Sequence, residues 1–307
     1  MRIGVDLGGT KIEVAVLDTA GLEIARQRTP TPHGDYEGSV RAIAELVRAI
    51  AAKTGAQGSV GMGIPGAISA KTGLVMTSNA TFLVGRALDK DLAAALGRKV
   101  RIENDANCFA LAEAVDGAAR GAHCVFGAIL GTGVGAGIVL DHKVFSGNTG
   151  IAGEWGHNPL PWPEATEFPG PACYCGRYGC MERYVSGTAF TADHAAKIGR
   201  KMKGDEIVAA MRAGDAEARA TYQRYAKCLA RGLAVIANVL DPNAFVLGGG
   251  MSNVDELYQD LPSLMRPHVL SKEFDTPILK PLHGDSAGVR GAAWLWGDGD
   301  LDEAAAS

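Results

Sequence analysis

The chain has 307 residues, 47% of them hydrophobic and 21% charged, enough to bury a sizeable core and to fill two domains of ordinary size. A formal net charge of −4 offers no basic surface to nucleic acid or to an anionic membrane, and no apolar run approaches the length of a membrane span. Six cysteines are too few for a disulfide scaffold at this length, and no signal peptide precedes the run Ile3-Gly4-Val5, so a reducing cytoplasm is the expected setting.

IGVDLGGTKIEVAVLD, from Ile3 to Asp18, reads as strand, glycine-rich turn, strand: the apolar residues are β-branched and Gly8-Gly9 sits at the reversal. A third strand runs through GLEIARQRTPTP to Pro30 and Pro32. Between Gly38 and Lys53 the apolar spacing turns helical, with Val40, Ile43, Leu46, Val47 and Ile50 on one face. SVGMGIPG is a strand entering a turn, and VRIENDANCFALAEAV is a strand that breaks at Asn104-Asp105 and goes on as a helix. HCVFGAILGTGVGAGIVLD then repeats the opening pattern. Asp215 to Leu240 is helical, and Ala244-Phe245-Val246-Leu247 is a buried strand. Alternating strands and helices predict an α/β protein, and the repeat predicts two related domains with a central cleft. The expected divisions are 1–118, 119–286 with a metal-binding loop, a helix near 287–297 returning to the first domain, and a frayed tail at 298–307.

Three glycine turns can cradle phosphate through bare backbone N–H groups. In the first, Asp6 precedes Gly8, Gly9, Thr10 and Lys11; a carboxylate there can hold Mg²⁺ through water, and Mg²⁺ then bridges phosphates. The second is Gly131-Thr132-Gly133. The third, Gly248-Gly249-Gly250, follows a buried strand and can let a flat adenine or ribose lie on backbone. Neither a Walker A pattern nor a GxGxxG opening a helix is present. Asp105, where a strand gives way to a helix, has two readings: a helix N-cap, or a general base for a sugar hydroxyl at the carboxyl end of a strand.

Cys173, Cys175 and Cys180, with Gly176 and Gly179 turning the chain between them, supply three thiolates, and His157 is the nearest candidate for a fourth ligand. Cys₃His is a closed structural Zn²⁺ set with no open position for catalysis. Glu154 and Glu182 bracket this knot, where a folded loop would bring both carboxylates together to accept hydrogen bonds from a polyol.

The motifs MRIGVDLGGTKIEV, VGMGIPG, NDANC, EAVDGAA, GEWGHNPLPW, CYCG..GC.E, LGGGMSNVD and HGDS.GVRGAAWLW resemble the ROK family of sugar kinases over nearly the whole chain. That family belongs to the larger group with the actin-like ATPase (ribonuclease H-like) fold. The resemblance is closest to the fructokinases of the family and implies transfer of phosphate from ATP to the 6-hydroxyl of fructose, with mannose as a further substrate. It implies Asp105 as base, Asn104, Glu154, His157 and Glu182 on the sugar, and Gly66 and Asn79 in loops lining the sugar pocket. It implies Asp6 to Lys11 and Gly131 to Gly133 on the ATP phosphates, with His157, Cys173, Cys175 and Cys180 on zinc, in a homodimer. Kinases for glucose, mannose or N-acetylglucosamine would use the same base and clamp. The family's transcriptional repressors carry a helix-turn-helix ahead of the DxGGT turn, which here begins at Asp6. An actin- or chaperone-like ATPase would have no need of Glu154, Glu182 and the cysteines between them.

Overall fold

The computed structural model describes residues 1–78 and 80–297; Asn79 and the tail expected at 298–307 lie outside the described residues. The chain is mixed α/β and forms two compact units. One comprises Met1–Gly121, Gly137–Ala152 and the chain from His283 onward; the other comprises Ala122–Ala136 and Gly153–Leu282. Among the described residues no helix is long and apolar enough to cross a membrane.

The first stretch carries β1 (Arg2–Leu7), β2 (Lys11–Leu17), β3 (Glu23–Pro30), α1 (Tyr36–Thr54), β4 (Val60–Ile64), β5 (Gly66–Ile68), β6 (Val75–Ser78), α2 (Leu88–Leu96), β7 (Val100–Asn104) and α3 (Asp105–Val115). Its sheet runs β3-β2-β1-β4-β7. The glycine turn closes the antiparallel β1–β2 pair, while β1, β4 and β7 are parallel. Alternation divides β1 between two faces. Ile3, Val5 and Leu7 join Ile43, Val47 and Ile50 of α1 and Leu88 and Leu92 of α2 in one core. α1 starts at Tyr36, earlier than the apolar spacing indicated, because the Asp35 side chain accepts the Gly38 N–H at 2.8 Å and caps the helix.

The next elements are β8 (Cys124–Leu130), β9 (Val134–Leu140), β10 (Lys143–Val144), α4 (Glu182–Val185), α5 (Gly187–Ile198), α6 (Gly204–Arg212), α7 (Ala216–Leu240), β11 (Ala244–Gly248), α8 (Glu256–Met265), β12 (Ile278–Leu279) and α9 (Ala287–Trp294). The second sheet runs β10-β9-β8-β11-β12. Setting aside the β5–β6 hairpin, both sheets follow the order third, second, first, fourth, fifth strand, so the sequence repeat is a repeat of topology. In the second unit Phe126 anchors the core, edge-on to Trp155 at 5.6 Å and to Phe245 at 5.9 Å between ring centroids. The first unit is completed by α9, which lies against β1, β4 and α3.

α9 comes so close that side chains are absent at the contacts. A Cβ on Gly61 of β4 would stand 1.8 Å from the Ala292 carbonyl oxygen, and one on Gly291 would stand 1.7 Å from the Cys108 carbonyl oxygen of α3. Because the opposing atoms are backbone, no rotamer change relieves the overlap. Gly61→Ala is therefore expected to destabilise the protein by about 3 kcal/mol, read as a lower denaturation midpoint. Gly9→Ala, whose Cβ would meet nothing within 4 Å, should melt as the wild type does.

Candidate active site

In the first unit β7 ends and α3 begins without an intervening loop, which puts the Asn104-Asp105 pair at the carboxyl edge of the sheet. The N-cap of α3 is Asn104, which shares the Ala106 N–H with Asp105: Asn104 Oδ1 accepts it at 2.9 Å and Asp105 Oδ1 at 2.8 Å, while Asn104 Nδ2 donates to the Gly66 carbonyl at 3.1 Å. Asp105 is the first helical residue and is exposed. Gly66 is confined by sheet pairing, since a Cβ there would stand 2.1 Å from the Thr77 carbonyl oxygen.

Asp6, at the end of β1, lies under α9: a Cβ on Gly288 would be 3.5 Å from its carboxylate carbon. Burial first, then the charges of Asp105 and Glu13, push the Asp6 carboxyl up to about 6. Lys11 opposes that shift, and Asp6, next to the glycine turn, could hold Mg²⁺ there through water. The turn itself is pinned by Gly8 N–H to the Lys11 carbonyl and by Thr31, whose hydroxyl donates to the Gly8 carbonyl and whose N–H donates to that of Thr10. Gly8 and Gly9 do not use the left-handed backbone region expected of such a turn; what glycine supplies at position 9 is open space beside the amides. Lys11 is drawn to Glu13 at 3.0 Å.

In the second unit the Gly131-Thr132 turn and Gly250 line one cavity of about 660 Å³. Here positive φ is required once, at Gly249 (φ +77°), where a Cβ would also collide with Leu130. The α5 N-terminus faces the same turn: the Gly187 N–H donates to the Gly131 carbonyl at 2.7 Å, and Thr188 Oγ1 to that of Thr132 at 2.9 Å. α6 adds Gly204, Asp205, Val208 and Arg212, while Met251 and Val254 supply an apolar wall. A slot with backbone amides, hydroxyls and an apolar wall can take a nucleotide. The α5 and α6 residues escaped sequence reasoning because no local pattern marks them. Gly133 and Gly248 support the cavity without lining it.

Glu182, the first residue of α4, is buried and its Oε2 accepts the Val134 N–H at 3.0 Å. A Cβ on Gly133 would stand 2.7 Å from that same oxygen. The expected sugar-clamp residue thus also braces the Gly131–Gly133 turn. Glu154 is exposed and both carboxylates act on the Tyr174 hydroxyl, whose pKa is raised by burial first and then by Glu182, Cys173 and Glu154.

His157, Cys173, Cys175 and Cys180 offer ligand atoms that all lie within 4.8 Å of one another. His157 Nδ1 is 3.7 Å from Cys173 Sγ, and Cys175 Sγ is 3.6 Å from Cys180 Sγ. These separations are close to the edge of a zinc–thiolate tetrahedron, about 3.7 Å for bonds of about 2.3 Å. All the cysteines are free thiols. Burial and the neighbouring thiols raise Cys180 to about 12, whereas the Arg177 backbone N–H helps to lower Cys175 to about 7. A cation would turn such crowding into ligation. The His157 Nε2, 2.9 Å from the Tyr174 hydroxyl, is held by a partner that sequence reasoning passed over although it sits between two of the thiols. A second staple lies nearby: buried Arg231 of α7 grips Glu167 with two N–H groups, at 2.8 and 2.6 Å, and donates to the Trp162 carbonyl at 2.7 Å.

The sequence profile of the ROK family matches residues 2–298, and the chain belongs to the ROK family of sugar kinases. It is 44% identical over 299 residues to the N-acetyl-D-glucosamine kinase of Aliivibrio salmonicida, covering 96% of this chain and 99% of that protein. Among solved structures it is similar to the ROK hexokinase of Thermus thermophilus, with a TM-score of 0.84 and 32% identity over 96% of this chain and 97% of that one. It is also similar to a Streptomyces griseus ROK glucokinase in complex with glucose and AMPPNP, with a TM-score of 0.76 and 30% identity over 100% and 99% of the two chains. The fold is accordingly the actin-like ATPase fold.

Two predictions follow from the charges and thiols. Asp6 is an anion above about pH 6 in the folded chain but above about pH 4 when unfolded, so it lowers stability once pH rises through that window. Asp6→Asn should stabilise the metal-free protein by up to about 3 kcal/mol at pH 8, with no difference left at pH 3.5, measured by denaturant titration at both pH values. Cys175→Ser should abolish stoichiometric metal binding, assayed by elemental analysis after desalting, while the far-ultraviolet dichroism of the sheets and helices is retained.

Proposed function

We propose that the protein is an ATP-dependent N-acetylglucosamine kinase, converting the sugar and ATP to the sugar 6-phosphate and ADP. The observation that carries this reading is the 44% identity to a kinase of that name, extending over 99% of that relative's length. Relatives of the same name in Vibrio cholerae and Photobacterium profundum match equally well. They favour N-acetylglucosamine over the fructose expected from sequence motifs, which the motifs could not distinguish because base and clamp are shared among hexose kinases. Glucose has the support of a more distant relative.

In this reading Asp105 accepts the proton of the 6-hydroxyl as that oxygen attacks the γ-phosphorus. The P–O bond to ADP breaks as the new one forms, and the loose transition state asks only for an ordinary carboxylate. Asn104, Glu154, His157 and Glu182 accept and donate hydrogen bonds to the remaining hydroxyls. Backbone N–H groups of the Gly8–Lys11 and Gly131–Gly133 turns hold the phosphates, and the cavity walled by Met251 and Val254 takes the base. Asp6 would carry Mg²⁺, which when bound draws charge from the phosphates. His157 through Nδ1, Cys173, Cys175 and Cys180 would hold a structural Zn²⁺, leaving no open position, so its part is to order the segment ahead of Glu182.

The test is ADP release with Mg-ATP and N-acetylglucosamine, fructose, mannose, glucose or no sugar. The expected outcome is the highest kcat/KM for N-acetylglucosamine; a preference for another hexose would overturn the substrate, and equal release without sugar would overturn the kinase. Asp105→Ala should lower kcat at least about a hundredfold with the KM for ATP little changed.

A further inference from the structure

Glu103 precedes the pair Asn104-Asp105, and three donors converge on its carboxylate. Its Oε2 accepts the Asn104 N–H at 3.0 Å and Asn107 Nδ2 at 2.7 Å; its Oε1 accepts the Ser146 hydroxyl at 2.5 Å. Among the described residues no cation forms an ion pair with it. An anion held by three neutral donors, with no charge partner, gains little stability for the fold that a neutral residue could not supply. Its geometric effect is specific. It fixes the backbone at the strand-to-helix junction and the side chain of the buried Asn107 in the first turn of α3. Behind that turn there is no slack, because a Cβ on Gly137 would stand 2.4 Å from the Ala106 carbonyl oxygen. The Ser146 bond comes from the segment after β10, which is closed on itself by the Ala152 N–H donating to the Ser146 carbonyl at 3.1 Å and which runs on through Gly153 into Glu154.

We propose that Glu103 and Ser146 form a latch that positions the Asp105 carboxylate and anchors to the same point the chain segment leading into Glu154. This rests on Asp105 acting as the base. Glu103 is a positioning residue: it holds the turn on which Asp105 is mounted. A carboxylate suits the position because one Oε takes two N–H donors while the other takes a hydroxyl; glutamine would reverse the Ser146 bond and replace charge-assisted hydrogen bonds by weaker neutral ones. Misplacement of a base by about 1 Å costs orders of magnitude in rate while leaving ground-state binding in place.

The test compares Glu103→Gln, Ser146→Ala, the double variant and Asp105→Ala, with kcat and the KM for ATP and sugar measured beside thermal midpoints. The latch predicts that Glu103→Gln lowers kcat at least tenfold with the KM for ATP within twofold of wild type. Ser146→Ala should lower kcat severalfold, and the double variant should lose less than the product of the two single losses. Wild-type kcat in Glu103→Gln, or single losses that multiply fully in the double variant, would overturn the latch. If Glu103→Gln does not fold, Ser146→Ala decides: wild-type kcat there overturns the proposal. An inactive Asp105→Ala beside unimpaired latch variants removes the latch alone, whereas an active Asp105→Ala removes the base assignment itself.

Discussion

The contact on which the first unit depends is the backbone-to-backbone approach of α9 to the sheet and to α3. Gly4 of β1 and Gly61 of β4, paired across the sheet, both face α9, and Gly291 of α9 faces the Cys108 carbonyl. α3 is buried along almost its whole length, from Ala106 to Ala114, so its position is set by this packing and not by an amphipathic surface. The consequence reaches the chemistry at once. Asp105 is the first residue of that helix, and Asp6 lies under the first turn of α9 beside Gly288. Two of the residues on which phosphoryl transfer would turn are thus mounted on a rigid, side-chain-free junction.

Charge is handled in opposite ways at two residues paired across β1 and β2, Glu13 and Asp6. Glu13, buried in the sheet, is surrounded by Arg26, Arg28 and Lys11, an arrangement that leaves no buried charge uncompensated. Asp6 instead shares its surroundings with Glu103 and Asp105, and all three charges act to hold the buried Cys108 thiol protonated after its burial has done most of that work. For Asp6, where burial and the charges of Asp105 and Glu13 outweigh that of Lys11, the ionised form is costly to the metal-free fold.

Much of this was legible in the sequence. The glycine turns, the break at Asn104-Asp105 and the cysteine spacing announced themselves because each is a local pattern with a local cause. The internal repeat proved to be a repeat of strand order. Other features could not be read that way. The cap of α1 by Asp35 lies outside the apolar period, and Asn104 takes the capping role that Asp105 was a candidate for because its side chain also reaches Gly66. The residues of α5 and α6 that wall the second-unit cavity, and the Ser146 bond to Glu103, join positions far apart in the chain. No spacing rule sees them. The sugar was the least legible of all, since its identity depends on loop shape and not on the shared catalytic groups.

The matching strand orders also locate the main departure between the halves. In the first, β3 gives way to α1 within a few residues, from Pro30 to Tyr36; in the second, the chain runs from Val144 to Glu182 between β10 and α4 with little regular structure. Lengthening a connection is cheap in closure entropy, about 0.6 kcal/mol per doubling, but ordering each residue of it costs roughly 1–2 kcal/mol. A segment that leaves Phe145, Ile151, Trp162, Phe168, Tyr174 and Tyr178 exposed does not meet that from a core of its own. It is fastened at points instead: the cluster of His157 with Cys173, Cys175 and Cys180 at one end, the Arg231–Glu167 pair in the middle, and Ser146 on Glu103 at the start. Each fastening is polar and each is local to its own few residues, so the order of this long connection is a sum of separate local equilibria and not a property of the two sheets.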